Sequence, residues 1–238
     1  MEECLIKDFP KHIGEEVVIK GWVFNRRSSG KVSFLLVRDG SGICQVIAER
    51  EILGEEVYPE IKKVPIESSV IVRGTVKEEF RSPGGYELHA ARIEIVQKSE
   101  EFPIGKKEHG PDFLLSQRHL WLRSSRQIAI MRVRDALVRH VRDYFHKNGF
   151  TLIDTPIITT TCGEDTSSLF SLEYFDLGKA FLSQTGQLYL EAAIFGLGKV
   201  FCLGPTFRAE RSKTRRHLTE FWMLEPEMAF FDHDQNLA

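Results

Sequence analysis

The sequence predicts two unlike domains in series, an all-β barrel over residues 1–98 and an α+β domain over residues 114–238, joined by a linker at 99–113. Three observations predict this. Up to Gln97 the apolar residues come in short runs separated by turn residues, which is the pattern of strands. From Ser99 to Pro111 the chain mixes proline, glycine and charge with no apolar period. Beyond that point one long run repeats its apolar residues at helical spacing, and strands follow it.

The first half is expected to hold five strands. Val17 to Phe24 is a strand with Gly21 where a bulge or sharp bend would sit. Ser28 to Lys31 is a turn, and Val32 to Arg38 is the second strand. Asp39-Gly40-Ser41-Gly42 is a hairpin turn leading to Ile43–Ala48. A helical insertion falls around Ile52 to Lys63. Ser69–Lys77 and Tyr86–Gln97 complete the set, with Ser82-Pro83-Gly84-Gly85 between them. Five short strands with one helical insertion suit a closed barrel of the OB type.

In the second half, Ile128 to Asn148 reads as an amphipathic helix with apolar residues at Ile128, Met131, Leu137, Val138, Val141, Tyr144 and Phe145. Asn148-Gly149 ends it. Phe150 to Ile158 reads as a strand, with Pro156 marking an edge or an interface. A loop at Thr161–Ser168 precedes a hairpin from Leu169 to Gln184. A short helix follows Gly186 and runs to about Phe195. Two longer strands, Val200–Glu210 and Leu218–Phe230, flank a basic loop.

Composition removes several function classes. The formal net charge is -2, so nucleic-acid contact has to come from local patches. Cys4, Cys44, Cys162 and Cys202 are far apart, which fits neither a zinc cluster nor a disulfide scaffold and reads as reduced cytoplasmic thiols. The N-terminus is acidic without an apolar core, so no signal peptide is expected, and no apolar run is long enough to cross a bilayer.

The basic loop carries five Arg or Lys between Phe207 and His217. By itself such a loop reads as a solvated hairpin tip. Its neighbours narrow the choice. Arg208 and Glu210, two apart in an expected strand, share a sheet face, and Phe221 stands in the return strand. A guanidinium for phosphate, a carboxylate for an amine hydrogen and a ring for stacking compose a nucleotide site.

The segment Phe207-Arg208-Ala209-Glu210 through Thr214-Arg215-Arg216-His217-Leu218-Thr219-Glu220-Phe221 resembles motif 2 of class II aminoacyl-tRNA synthetases, in the form of the class IIb group that handles Asp, Asn and Lys. The resemblance implies an antiparallel-sheet catalytic domain. It implies that Arg208 is the catalytic residue, holding the α-phosphate of ATP and the amino-acid carboxylate. Glu210 reads adenine or the tRNA 3′ end, Arg216 and His217 meet ATP, and Phe221 stacks on adenine. Gly149 to Ile158 resembles motif 1, which with its preceding helix implies a homodimer.

The resemblance continues through Phe181 to Glu191 and favours the asparagine branch. Aspartyl enzymes carry a lysine at the position of Leu190, where it pairs with the substrate carboxylate. Without it a carboxylate would be desolvated and underpaired. Glu225 takes the second carboxylate-sensing position and suits the carboxamide NH2 of L-asparagine. Arg118 to Ser124 and Thr214 to Trp222 are also of the asparaginyl type. Glu164, Ser183 and Gln187 complete the implied amino-acid pocket, with Gln187 and Glu164 on the ammonium group. In the barrel, Arg26, Phe34 and Gln45 match the anticodon-binding trio of the group, in which the ring stacks on the central uridine of the anticodon. Asparagine and aspartate anticodons share that uridine, so the trio does not choose between them, and tRNA(Asn) is implied by the asparagine branch alone.

The family's third motif supplies the γ-phosphate arginine, and acidic residues upstream of it bind Mg2+ with ATP. Neither occurs in these 238 residues. The chain is therefore expected to be a fragment or a truncated form, inactive alone in amino-acid activation, with no metal ligand of its own. Two alternatives stay open: the sister enzyme for aspartate, possibly non-discriminating, and a non-catalytic tRNA-binding paralogue.

Overall fold

The structure, a computed structural model, describes residues 3–105, 107–160, 168–211, 214 and 216–237. It divides into two compact units, Met1–Trp121 and Leu122–Ala238. No helix among the described residues is long and apolar enough to cross a membrane.

The first unit holds a closed five-stranded barrel. Its strands are β1 (Glu16–Ser29), β2 (Val32–Arg38), β3 (Ile43–Glu49), β4 (Ser69–Glu78) and β5 (Tyr86–Gln97), in the order β1-β2-β3-β5-β4. Closure depends on β1, which is longer than expected. Its first part pairs with β4 and its later part with β2, and Trp22 faces both Ser69 and Arg38. The crossing falls at Gly21, where a Cβ would stand 2.4 Å from the Arg38 carbonyl oxygen. Only glycine lets the two backbones approach so closely. The bulge itself comes later, between Val23 and Asn25.

Alternate residues point inward, as period-two strands require. Val17, Ile19, Leu35, Val37, Val46, Val72 and Leu88 are all buried, and helix α1 (Arg50–Lys63) closes one end with Ile61. Each such side chain contributes about 1.5–3 kcal/mol on leaving water. Part of the expected linker is helical: α2 (Pro111–Ser116) starts on a proline in its first turn, where the missing N–H has no partner to lose, and α3 (Arg118–Trp121) follows.

In the second unit, α4 (Ser125–Lys147) begins three residues before the expected start because Ser124 caps it, accepting from the Gln127 amide. Gly149, at φ 81°, ends it. The expected strand Phe150–Ile158 is two short strands in different sheets, β6 (Thr151–Leu152) and β7 (Ile158–Thr159). Pro156 lies between them and has no N–H for a ladder. The expected hairpin is β8 (Ser171–Glu173) and β9 (Lys179–Leu182), and β9 pairs with both β8 and β7.

The main sheet is β10 (Lys199–Phe207) between β11 (Glu220–Met228), antiparallel, and β6, parallel, so it is mixed. Phe145 of α4 stacks on Phe201 at 4.8 Å between ring centres. Helix α5 (Gln187–Leu197) instead packs Leu190 on Val200 and Cys202. Since neighbours on a strand face opposite ways, the two helices cover opposite faces. A last helix, α6 (His233–Leu237), was not legible in the sequence.

Candidate functional site

Strands β10 and β11 build the site. Their register sets Thr206 opposite Phe221 and Cys202 opposite Glu225, so these four share the face that α5 covers. Beyond the end of β10 the ladder continues for one bond, Arg208 N–H to the Thr219 carbonyl at 3.0 Å. Arg208 and Glu210 thus lie just past the strand rather than in it, with Ala209 held by its N–H to the Ser168 carbonyl at 2.7 Å.

Past the strand end, a pocket of about 390 Å³ opens between Arg208, Glu210, Arg216, His217, Leu218 and Phe221. All five residues singled out for ATP line this one pocket. The Arg208 guanidinium carbon stands 5.7 Å from the centre of the Phe221 ring, a cation over an aromatic face. Basic groups around a half-buried ring suit a purine with a charged tail.

The expected amino-acid residues are arranged differently from one another. Ser183 is buried, and its hydroxyl donates to the Thr185 carbonyl at 2.7 Å. It is a support, not an open contact. Gln187 stands exposed on the first turn of α5 and donates to Glu191 at 2.9 Å. Leu190 is fully buried in the small core beneath α5, so it is an apolar wall without an exposed face. Glu164 lies outside the described residues.

Glu225 is the most connected of the set. Its Oε1 accepts from the Thr185 hydroxyl, and its Oε2 accepts from the Gly186 N–H at 2.9 Å and from the Cys202 thiol at 3.3 Å. Burial, with the negative charge of Glu225 beside it, pushes the Cys202 thiol up to about 12. Glu227, on the same face, is raised by burial and then by Glu191 and Glu225. Thr185 and Cys202 escaped sequence reasoning. No motif marks them, and a lone cysteine carries no signal of its strand partner.

In the barrel, Phe34 and Gln45 stand on the outer faces of β2 and β3. Their cation is Arg27, not the expected Arg26. The Arg27 guanidinium lies 4.6 Å over the Phe34 ring and donates to Gln45 Oε1 at 3.2 Å. Arg26 pairs in register with the inward Leu35 and donates to the Lys62 carbonyl at 2.7 Å. The bulge after Val23 is the cause, because one extra residue moves every later side chain to the other face. Gln45 also donates to Ser82 and Glu87.

Among the described residues no group of three His, Cys, Asp or Glu is placed to hold a metal ion such as Mg2+.

Residues 110–238 match the family described as tRNA synthetases class II (D, K and N). The chain belongs to that family. Residues 17–96 match the OB-fold nucleic acid binding domain, as the barrel requires. The asparagine–tRNA ligase of Pelotomaculum thermopropionicum is 52% identical over 237 residues, covering 100% of this chain and 55% of that protein. The crystal structure of asparaginyl-tRNA synthetase from Pyrococcus horikoshii complexed with asparaginyl-adenylate superposes with a TM-score of 0.92 at 45% identity, covering 98% of this chain and 54% of that one. The asparaginyl-tRNA synthetase of Entamoeba histolytica, also in complex with asparaginyl-adenylate, gives 0.84 at 31%, over 99% of this chain and 55% of its own. This class II synthetase chain thus spans about half the length of the curated relatives it matches.

Proposed function

We propose that the protein of which these residues are part is an asparagine–tRNA ligase. It condenses L-asparagine with ATP to asparaginyl adenylate and pyrophosphate, and transfers the acyl group to the 3′ end of tRNA(Asn). The observation that carries this is the convergence of Arg208, Glu210, Arg216, His217 and Phe221 on one pocket, with Glu225 on the same sheet face. The similarity to two structures named for bound asparaginyl-adenylate supports the same reading.

In this reading Phe221 stacks on adenine, while Arg216 and His217 meet the outer phosphates. Arg208 neutralises the charge that grows as the substrate carboxylate attacks the α-phosphorus. That attack needs no proton transfer, so a fixed guanidinium and correct placement suffice. Gln187 offers its amide oxygen to the substrate ammonium, and Glu225 accepts from the carboxamide. Arg27, Phe34 and Gln45 receive the central anticodon base on the barrel. Mg2+ accompanies ATP through residues outside those described.

A homodimer through α4 is part of the proposal. Ile130, Val133, Leu137 and Tyr144 form an exposed apolar stripe at helical spacing, away from the stripe that meets the sheet. A cytoplasmic location follows from the need for tRNA. The test is pyrophosphate exchange by the whole gene product with asparagine and with aspartate as the amino acid. Exchange with asparagine alone is expected. Exchange with aspartate alone overturns the reading.

A further inference from the structure

Glu225 is held in an unusual way for a residue that reads a substrate. Three protein donors already converge on it from two segments: the Thr185 hydroxyl and the Gly186 N–H just before α5, and the Cys202 thiol from the paired strand. The fit leaves no slack. A Cβ on Gly186 would stand 2.6 Å from the Cys202 sulfur and 3.0 Å from the Thr155 hydroxyl. Thr185 is tied in turn, since its hydroxyl oxygen accepts from the Gln187 N–H at 3.0 Å and its carbonyl accepts from Ser183.

We propose that Thr185 and Cys202 are positioning residues that lock Glu225 as an acceptor-only group and thereby set the choice of amide over acid. This rests on the asparagine reading above. A carboxylate offers about four acceptor directions, and three are taken here. The one left, on Oε1, can receive an N–H. A substrate carboxylate at that point would face an anion at hydrogen-bond distance, and two carboxylates sharing a site cannot both stay ionised. The donors matter as much as the acceptor. A carboxylate free to swing could turn away from an acid substrate, or take up a proton from solvent and share it with that substrate. The raised Cys202 thiol stays protonated and so remains a donor at neutral pH. The same bonds also fasten the N-terminus of α5, where Gln187 stands. Amide choice and ammonium placement are therefore tied to one network.

A purely structural role predicts something else. If Glu225 only capped α5, loss of a donor would lower the melting temperature and change asparagine and ATP use alike. The experiment measures KM for asparagine and for ATP in pyrophosphate exchange by the whole gene product, for Thr185→Val, Thr185→Ser, Cys202→Ala and Cys202→Ser, with melting temperatures alongside. Loss of one hydrogen bond to a charged group is expected to raise KM for asparagine about tenfold in Thr185→Val, with a smaller rise in Cys202→Ala because a thiol is the weaker donor. KM for ATP should stay within about twofold. Both serine variants, which keep a donor, should restore the asparagine value. Equal rises for asparagine and ATP, or serine variants no better than the apolar ones, overturn the proposal while leaving the asparagine reading intact. A parent protein that activates only aspartate overturns both.

Discussion

Removing Arg27 should weaken RNA binding more than removing Arg26, although the two are neighbours and chemically identical. The perturbations are Arg27→Ala, Arg26→Ala and Phe34→Ala in the 238-residue chain. Arg27 lies 4.6 Å over the Phe34 ring and bonds Gln45, which sets its guanidinium beside a base stacked there. A cation–π contact from that guanidinium to the base is worth about 0.5–1 kcal/mol, so removing Arg27 should cost roughly 2- to 5-fold in affinity. If it also neutralises a phosphate, the slope of log affinity against log salt falls by about 0.7. Phe34→Ala removes a base platform worth about 1–3 kcal/mol, or roughly 5- to 150-fold. Arg26 spends its guanidinium on the Lys62 carbonyl, so Arg26→Ala should cost about 1 kcal/mol of barrel stability and lower the melting temperature by ~4–8 °C. Its RNA affinity should change less than twofold. The assay is fluorescence anisotropy with an anticodon stem-loop RNA, at two salt concentrations, with melting curves for each variant. A larger affinity loss for Arg26→Ala than for Arg27→Ala would refute the bulge-based assignment.

Other outcomes follow from the same geometry. Arg208→Ala in the whole gene product should lower pyrophosphate exchange by roughly 10²–10³, the usual loss for one fixed donor at a charge-developing centre, measured at a temperature where circular dichroism shows the variant folded. Gly21→Ala should unfold the barrel or cost more than about 3 kcal/mol in urea melts, because its Cβ would meet backbone at 2.4 Å and backbone cannot step aside. Cys202 gives a pH dependence whose sign is fixed. Its ordinary value is 9.0 and the folded value about 12, so between these the unfolded chain releases a proton that the folded chain keeps. Stability should therefore fall as pH rises through that window. Urea melts at pH 8 and pH 11 should show a shallower fall in Cys202→Ala than in the parent chain.

How far the sequence could be read depended on what each signal measures. The barrel strands were legible because one face of each is buried, and alternation reports that directly, as in Val70, Val72, Gly74 and Val76 of β4. That Arg208, Glu210, Arg216, His217 and Phe221 share one pocket was legible because they are bunched in the sequence. The ends of elements were less so. Pro156 was read as a mark on a strand, whereas it separates strands of two sheets. Arg26 came from a family match, whereas the bulge after Val23 sets Arg27 beside Phe34, and a bulge adds a single residue without altering composition. Leu190 was picked as the position where aspartyl enzymes carry a lysine. Its complete burial was beyond reach, since that depends on Val200 and Cys202 in a strand ten residues on.

The two subsites have one structural origin. Phe221 and Glu225 are four residues apart on β11 and face the same way, about 13 Å from one to the other at strand spacing. The ring end is finished by the turn after β10, and the carboxylate end by the start of α5. A strand pair is stiff along its length, so the separation between the two ends cannot drift with loop motion. On the proposed function, a ligand with a base at one end and a carboxamide at the other would be measured against that fixed interval. Substitutions at the turn and at the helix start should therefore act independently, whereas any change to the β10–β11 register would disable both ends together. Combining Phe221→Ala with Cys202→Ala tests this: additive losses in binding an asparaginyl-adenylate analogue are expected, and a coupling above about 0.5 kcal/mol would show that the sheet transmits between them.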